Sequence, residues 1–132
     1  MSARPICELM RSLPSSVHPA ESAARLLRRM RNEGASVVPV LDHGELVGLV
    51  VERDLVEIGG ETLARCQVRD VMRGDPLSAP PWRPVSAVLS SMVEQLVDAV
   101  VIIDRGHLVG LFTLDDLAGR CGTLLDEANL LH

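Results

Sequence analysis

Thr113 and Asp116 are the two polar residues whose type and spacing are best suited to chemistry in this sequence. They follow the apolar run Gly110-Leu111-Phe112, where a strand is expected to run into a helix. A helix N-terminus presents unpaired N–H groups and the positive end of the macrodipole, so it favours an anion. The threonine hydroxyl adds a donor for a phosphate, and the carboxylate can accept hydrogen bonds from a ribose. The same Thr-x-x-Asp spacing is also typical of a capping box, which would only stabilise the helix.

The motif belongs to a stretch that occurs twice in the chain. Gly106 to Leu117 aligns with Gly44 to Leu55 at an offset of 62 residues, and the register continues without a gap through the preceding segments. The earlier copy keeps the carboxylate as Asp54 but has Val51 where the later copy has Thr113. We therefore look for function in the pair of copies, and we expect the later copy to be better equipped to bind a ligand.

Each copy is predicted to run β-α-β-β-α. The first unit covers residues 6–59, the second covers 66–121, and a tail over 122–132 either forms a short helix or frays. Apolar residues at helical spacing predict helices over 20–33 and 84–95, and apolar runs on either side of Asp-x-Gly turns predict buried hairpin strands. Further helices are expected from 52 to 58 and from 114 to 120. Leu96 stands where Gly34 ends the first helix, so we expect the second helix to end differently.

Composition and charge exclude several classes of function. All 13 basic residues are arginine, the net charge is −5 and aromatic residues make up 2% of the chain, which argues against nucleic acid as the main partner. The apolar runs are too short to cross a membrane. Three isolated cysteines without zinc or disulfide spacing are typical of a reducing compartment, so we expect a cytoplasmic protein. The histidines form no metal set and no nucleophile accompanies the acidic residues, so we expect neither a metal site nor an enzyme.

Three segments, each present in both copies, resemble a known family. They are Leu9-Met10 and Val71-Met72, the strand residues 38–42 and 100–104, and the motif residues 48–54 and 110–116. The last segment is similar to the pattern of cystathionine β-synthase (CBS) domains: glycine, two apolar residues, Thr or Ser, two variable residues, then Asp. Two copies in register resemble a CBS-domain pair, or Bateman module. The resemblance implies an α+β fold of two repeats packed with pseudo-twofold symmetry.

The resemblance also implies a regulatory function. Such pairs commonly bind AMP, ADP, ATP or S-adenosylmethionine in clefts between the halves, and they often form homodimers. The family's Asp holds the ribose, its Thr or Ser meets phosphate, and apolar backbone meets the base. The favoured site, in the second copy, would then comprise Thr113, Asp116, Ser78, Ala79, Val100 and Val101. A weaker site, in the first copy, would comprise Asp54, Arg53, Val17, His18, Val37 and Val38.

A ligand-binding module is one of two interpretations that stay open. Val51 in place of a hydroxyl, and Asp115 beside Asp116, favour the alternative of a structural or interaction homodimer that binds no ligand and acts through a protein partner. If a ligand does bind, the second carboxylate favours one with little negative charge, such as adenosine or S-adenosylmethionine. Trp82 follows two prolines, and we expect it either as an exposed anchor at a dimer surface or as a partly buried residue.

Overall fold

The chain folds into two similar α+β halves. The computed structural model describes residues 4–12 and 14–114, and it begins with a 3-10 turn at Ile6–Glu8. The strands are β1 (Arg11–Ser12), β2 (Val37–Asp42), β3 (Glu45–Val51), β4 (Ser78–Ala79), β5 (Ala99–Asp104) and β6 (His107–Thr113). The helices are α1 (Ala23–Glu33), α2 (Glu52–Ile58), α3 (Gly60–Ala64), α4 (Val68–Val71) and α5 (Val85–Gln95).

This order of elements confirms the predicted α+β class and the repeat. The opening strand of the second copy is β4, which pairs in parallel with β5. In the first copy the equivalent contact is a single parallel bridge between Val17 and Val40. The predicted closing helix of the second copy, beyond Leu114, and the tail 122–132 lie outside the described residues.

An antiparallel hairpin forms the centre of each half. β2 pairs with β3, with Val40 opposite Gly48, and β5 pairs with β6 in the equivalent register. The first turn places His43 at a φ of 51° and Gly44 at a φ of 82°, and the second turn is alike. Two consecutive residues at positive φ are typical of a type I′ turn, which matches the twist of the flanking strands. The predicted Asp-x-Gly turns are therefore confirmed.

The two longest helices end in the same way. α1 is capped at its start by the side chain of Ser22 and ends at Gly34, in the left-handed conformation. The prediction that the second helix ends differently is wrong: Leu96 is also left-handed, with a φ of 56°, and its N–H donates to the carbonyls of Met92 and Val93. Left-handed backbone costs a leucine about 1–2 kcal/mol. The packing of α5 on its sheet therefore overrides the local preference of this residue.

The segment that leads into each copy packs on the other copy. We call residues 6–12 and 68–74 the leader segments. In the first leader, Arg11 pairs with Leu111, so that β1 becomes the edge of a sheet with the order β1-β6-β5-β4. In the second leader, Arg73 exchanges two backbone hydrogen bonds with Leu49 of β3, at 2.7 and 2.9 Å. The two halves are thus joined by reciprocal strand pairing.

Three apolar clusters follow from this exchange. The first cluster packs Val68, from the second leader, among buried side chains of α1, β2 and β3. The second cluster packs Ile6 and Leu9, from the first leader, around Phe112. A central cluster joins the two hairpins through Val37, Leu49, Val51, Ala99, Val101 and Leu111. Because equivalent residues of both copies meet there, the halves are related by the predicted pseudo-twofold axis.

Candidate functional site

Thr113 lies at the end of β6 and is 5% exposed. Within the described part of the chain it is the one buried residue with a polar or charged side chain. The N–H of the next residue, Leu114, donates to the carbonyl of Asp98 at 3.0 Å and fixes the end of the strand. The following residues, Asp115 and Asp116, lie outside the described residues, so Asp116 stays a prediction.

A cavity of about 250 Å³ lies between the halves. Three repeat-equivalent pairs of residues line it, namely Ser36 with Asp98, Val51 with Thr113, and Glu52 with Leu114. This pairing places the cavity at the pseudo-twofold axis, and we name it the axial cavity. The N–H of Glu52 donates to the carbonyl of Ser36 at 2.9 Å, as Leu114 does to Asp98. The ends of β3 and β6 therefore meet at one site.

The axial cavity is acidic. Its lining residues include two acidic residues, Glu52 and Asp98, and one basic residue, Arg53. Nη2 of Arg53 is 3.9 Å from Oδ2 of Asp98, and the two side chains are 61% and 40% exposed, so this ion pair is weak. A group with several negative charges would meet net repulsion here, whereas a neutral or cationic group would not.

A second cavity of about 260 Å³ lies beside the axial cavity, and we name it the lateral cavity. A narrow recess between them, lined by Ser36, Val37 and Thr113 among others, shares lining residues with both. We call the two adjoining cavities together the cleft; their volumes are about 250 and 260 Å³, and each is close to the lower end of the size range of small-molecule sites. The lining of the lateral cavity includes Arg11, Pro14, Ser15, Ala35, Val38 and Leu111.

This cleft brings Thr113 together with residues of the first copy. Val37 and Val38, which the sequence analysis groups with Asp54, lie in the same cleft as Thr113. Ser15 and Ala35 also line the cleft, and sequence reasoning missed both. No local pattern marks them, because their place in the cleft depends on how the two hairpins stack.

The other residues predicted for the second-copy site lie in and around the sheet of their own half. Ser78 and Ala79 form β4, where Ser78 is exposed and Ala79 is buried. Val100 packs in the second cluster and Val101 in the central cluster. None of these four lines the axial or the lateral cavity.

The first-copy carboxylate, Asp54, is held by Arg73 of the second leader. Nε of Arg73 donates to Oδ2 at 2.7 Å, and Nη2 donates to Oδ1 at 2.9 Å. The hydrogen bond from Arg73 is the main cause that holds the pKa of Asp54 below its ordinary value, and the same pairing raises the pKa of Arg73. A ribose at Asp54 would have to compete with this bidentate pair.

Val17 and His18 take part in local contacts of the first half. Val17 is buried and forms the bridge to Val40. Nε2 of His18 is 3.3 Å from Oδ1 of Asp42, and its Nδ1 accepts a hydrogen bond from the N–H of Ala20. Neither residue lines the axial or the lateral cavity.

Residues 4–12 and 14–114 contain neither a cluster of metal-binding side chains nor a helix that could cross a membrane. In these ranges no three His, Cys, Asp or Glu side chains come together in a way that would hold a metal ion. No helix in the same ranges has the length and apolar character needed to cross a membrane.

Comparison with known proteins identifies the repeat. The family model of the CBS domain matches residues 6–61 and again residues 68–121. An inosine-5′-monophosphate dehydrogenase from Korarchaeum cryptofilum is 30% identical over 106 residues, which are 80% of this chain and 22% of that protein. Protein MK0525 from Methanopyrus kandleri is 30% identical over 104 residues, covering 75% of this chain and 53% of that protein. The chain thus spans between about a fifth and about half of these curated relatives.

Solved structures share the fold. The CBS domain pair of protein MJ0100, in complex with 5′-methylthioadenosine and S-adenosyl-L-methionine, aligns with a TM-score of 0.82 and 19% identity over 92% of this chain and 98% of that chain. The CBS domain of a bacterial CNNM/CorC family Mg²⁺ transporter, in complex with ATP, aligns with a TM-score of 0.76 and 23% identity over 86% of this chain and 84% of that chain. At these identities the likeness concerns the fold alone.

Proposed function

The chain belongs to the CBS domain family, and from that premise we propose that it is a regulatory module that binds an adenosine-containing small molecule between its two CBS motifs. The observation that carries the proposal is the cleft at Thr113. A buried hydroxyl stands there between the lateral cavity, which has an apolar wall, and the acidic axial cavity. The ligands named for the two structural neighbours are all adenosine compounds, which supports the same class of ligand here.

The shape of the cleft supports one orientation of the ligand. In this proposal the base packs in the lateral cavity against Val37, Val38 and Leu111, because these side chains offer apolar contact. The ribose lies toward Thr113, with the carboxylate of Asp116 accepting hydrogen bonds from its hydroxyl groups. The 5′ substituent then extends into the axial cavity.

The acidic lining of the axial cavity supports a ligand with little negative charge. Glu52 and Asp98 outnumber Arg53 in that lining, so a phosphate chain would be repelled. Asp115, beside Asp116, adds a further carboxylate to the motif. Adenosine and S-adenosylmethionine are therefore favoured over AMP and ATP.

Regulation follows from the position of the cleft between the halves. A ligand that touches Val37 of one motif and Thr113 of the other binds best when the two hairpins hold one relative position. It therefore favours one conformer by its differential affinity. A partner protein that recognises that conformer would receive the signal.

The test is a thermal-shift and calorimetric screen of adenosine, S-adenosylmethionine, AMP and ATP. A ligand at about 100 times its Kd adds about 2.7 kcal/mol to stability, which for this chain corresponds to a rise in Tm of roughly 10 °C. Thr113→Val should weaken binding roughly three- to tenfold through the lost hydrogen bond. Thr62→Val, at an exposed position of α3, is the matched control and should leave binding unchanged. A screen in which no compound binds would reject the proposal.

A structural or interaction homodimer without a ligand is the second candidate function. Val51, and the tie between Asp54 and Arg73, support it in the first copy. Exposed apolar side chains support a protein partner as well, since Trp82 is 72%, Val93 73% and Leu96 91% exposed. A dimer in solution that binds none of the four compounds would favour this candidate.

A further inference from the structure

A third cavity, of about 390 Å³, lies in the first half beside the start of α1, and we name it the α1 cavity. It shares no lining residue with the axial or the lateral cavity, so it is separate from the cleft. Its volume falls within the size range of small-molecule sites. Two arginines, Arg25 and Arg29, line it beside three apolar residues, Val17, Ala20 and Leu26.

The charge of the α1 cavity is positive. Glu21 also lines it, but its Oε2 already accepts a hydrogen bond from the backbone N–H of His18 at 2.6 Å. The side chain of Arg25 is exposed and makes no hydrogen bond or ion pair with any residue in the described part of the chain. Arg25 and Arg29 are four residues apart on one helix, so their like charges repel each other unless an anion lies between them.

Arg29 is held at the edge of the cavity with a donor to spare. Its Nη2 donates to the carbonyl of Ser16 at 2.9 Å. Its Nε is buried and has no hydrogen-bond acceptor within residues 4–12 and 14–114, since Oε1 of Glu33 is 4.0 Å away, which is too far for a hydrogen bond. A buried N–H without an acceptor in the chain is uncommon, and it is typically satisfied by a water or an ion.

The wall of the α1 cavity is fixed by the segment that leads into the second copy. The N–H of Val68 donates to the carbonyl of Glu21 at 2.9 Å, and the N–H of Ala23 donates to the carbonyl of Cys66 at 3.0 Å. The second of these bonds uses the first N–H of α1, so the arginines rather than the helix end supply the positive charge. A wall that is held before a ligand arrives loses little freedom on binding.

We propose that the α1 cavity binds a small organic oxyanion, a phosphate or a carboxylate on a short apolar body. Arg25 and Arg29 hold the oxyanion, because the planar guanidinium group matches the geometry of both kinds of anion. The apolar body packs against Val17 and Leu26, which are each 3% exposed. This site is independent of the adenosine site, because the two have no lining residue in common.

The experiment is isothermal titration calorimetry of the full chain at constant ionic strength, with n-butyl phosphate, n-butyrate and inorganic phosphate as probes. We expect one molecule of n-butyl phosphate or n-butyrate to bind per chain. The alkyl phosphate should bind roughly fivefold or more tightly than inorganic phosphate, because its alkyl group buries apolar surface. Tighter binding of n-butyl phosphate than of n-butyrate would identify the ligand as a phosphate monoester, and the reverse order would identify a carboxylate.

Three arginine variants test the position of the site. Arg25→Gln and Arg29→Gln should each weaken binding roughly five- to tenfold, through lost hydrogen bonds to a charged group. Arg25→Gln keeps the test open if Arg29→Gln fails to fold, which circular dichroism would reveal. Arg28→Gln is the matched control, because it removes the same charge from an exposed position of α1 that does not line the cavity, and it should leave the affinity within about twofold. Binding of neither organic anion, or equal losses in Arg25→Gln and Arg28→Gln, would overturn the proposal.

Discussion

Replacing Gly48 by alanine should destabilise the fold, because the second leader crosses β3 at this glycine. A Cβ on Gly48 would lie 2.7 Å from the carbonyl oxygen of Arg73 and 3.0 Å from Sδ of Met72. The methionine side chain can turn away. The carbonyl of Arg73 cannot, because it accepts the N–H of Leu49 at 2.9 Å while the N–H of Arg73 donates to the carbonyl of Leu49 at 2.7 Å.

The expected loss can be estimated from these contacts. Overpacking a well-packed site costs about 1–3 kcal/mol, and loosening the two backbone hydrogen bonds costs about 1 kcal/mol each. A glycine-to-alanine change also lowers the conformational entropy of the unfolded chain, which offsets about 0.4–1 kcal/mol of this loss. The net expectation is about 2–4 kcal/mol. For a chain of 132 residues, 1 kcal/mol corresponds to roughly 3–4 °C, so Tm should fall by about 7–15 °C.

Urea and thermal unfolding, followed by circular dichroism, would measure the effect against two other glycines. Gly74→Ala is the control, since a Cβ there meets nothing within 4 Å, and it should change stability by less than about 0.5 kcal/mol. Gly110→Ala should fall between the two, because its closest neighbour is the flexible side chain of Met10. Equal stability of the Gly48 and Gly74 variants would refute the argument that the leader requires close approach at β3.

Three further predictions concern charge and backbone. Asp54→Asn should lower stability at pH 7 by less than about 1 kcal/mol, because the pair with Arg73 is partly exposed. Pairing with Arg73 lowers the pKa of Asp54. The stability that this pair contributes is therefore present above the unfolded-state pKa of about 3.9 and is lost as the pH falls through the folded-state pKa. If the variant and the parent chain still differed in stability at the lowest pH, this explanation would be contradicted. Leu96→Gly should stabilise the chain by about 0.5–1 kcal/mol by relieving left-handed strain, and Gly34→Ala should do the opposite, as measured by urea midpoints. Asp98→Asn should tighten AMP binding about three- to tenfold and change adenosine binding less than twofold in calorimetry; equal effects on both compounds would show that charge in the axial cavity does not select the ligand.

The elements of each copy could be predicted because their signals are local. The Asp-x-Gly turn before β3 carries the residues that a type I′ hairpin needs, and the apolar face of α1 is readable from its period. The end of α5 could not be predicted, since Leu96 adopts a left-handed conformation that leucine disfavours and closes the helix with hydrogen bonds to the carbonyls of Met92 and Val93. Local propensity is a weak guide wherever burial decides the backbone.

Only part of the candidate site can be read from local signals in the sequence, for the same reason. The motif identifies Thr113, and the structure places it at a cleft between the halves. Its neighbours Ser15 and Ala35 belong to the other copy. A periodic pattern predicts a helix or a strand, but it does not predict which half of the molecule that segment packs against. The ion pair of Asp54 with Arg73 was missed because it depends on the exchange of leader segments.

The exchange of leader segments also sets an order of events during synthesis. The half built on β2 and β3 has both its own hairpin and the second leader segment that packs on it once residue 74 has left the ribosome. The other half cannot close until Leu111 emerges to pair with Arg11, about 100 residues after Arg11 itself. At roughly 5–20 residues per second this delay is about 5–20 s. Throughout that interval the apolar side chains of Ile6 and Leu9 lack the half that buries them, so a segment that is made before both hairpins is among the last to fold.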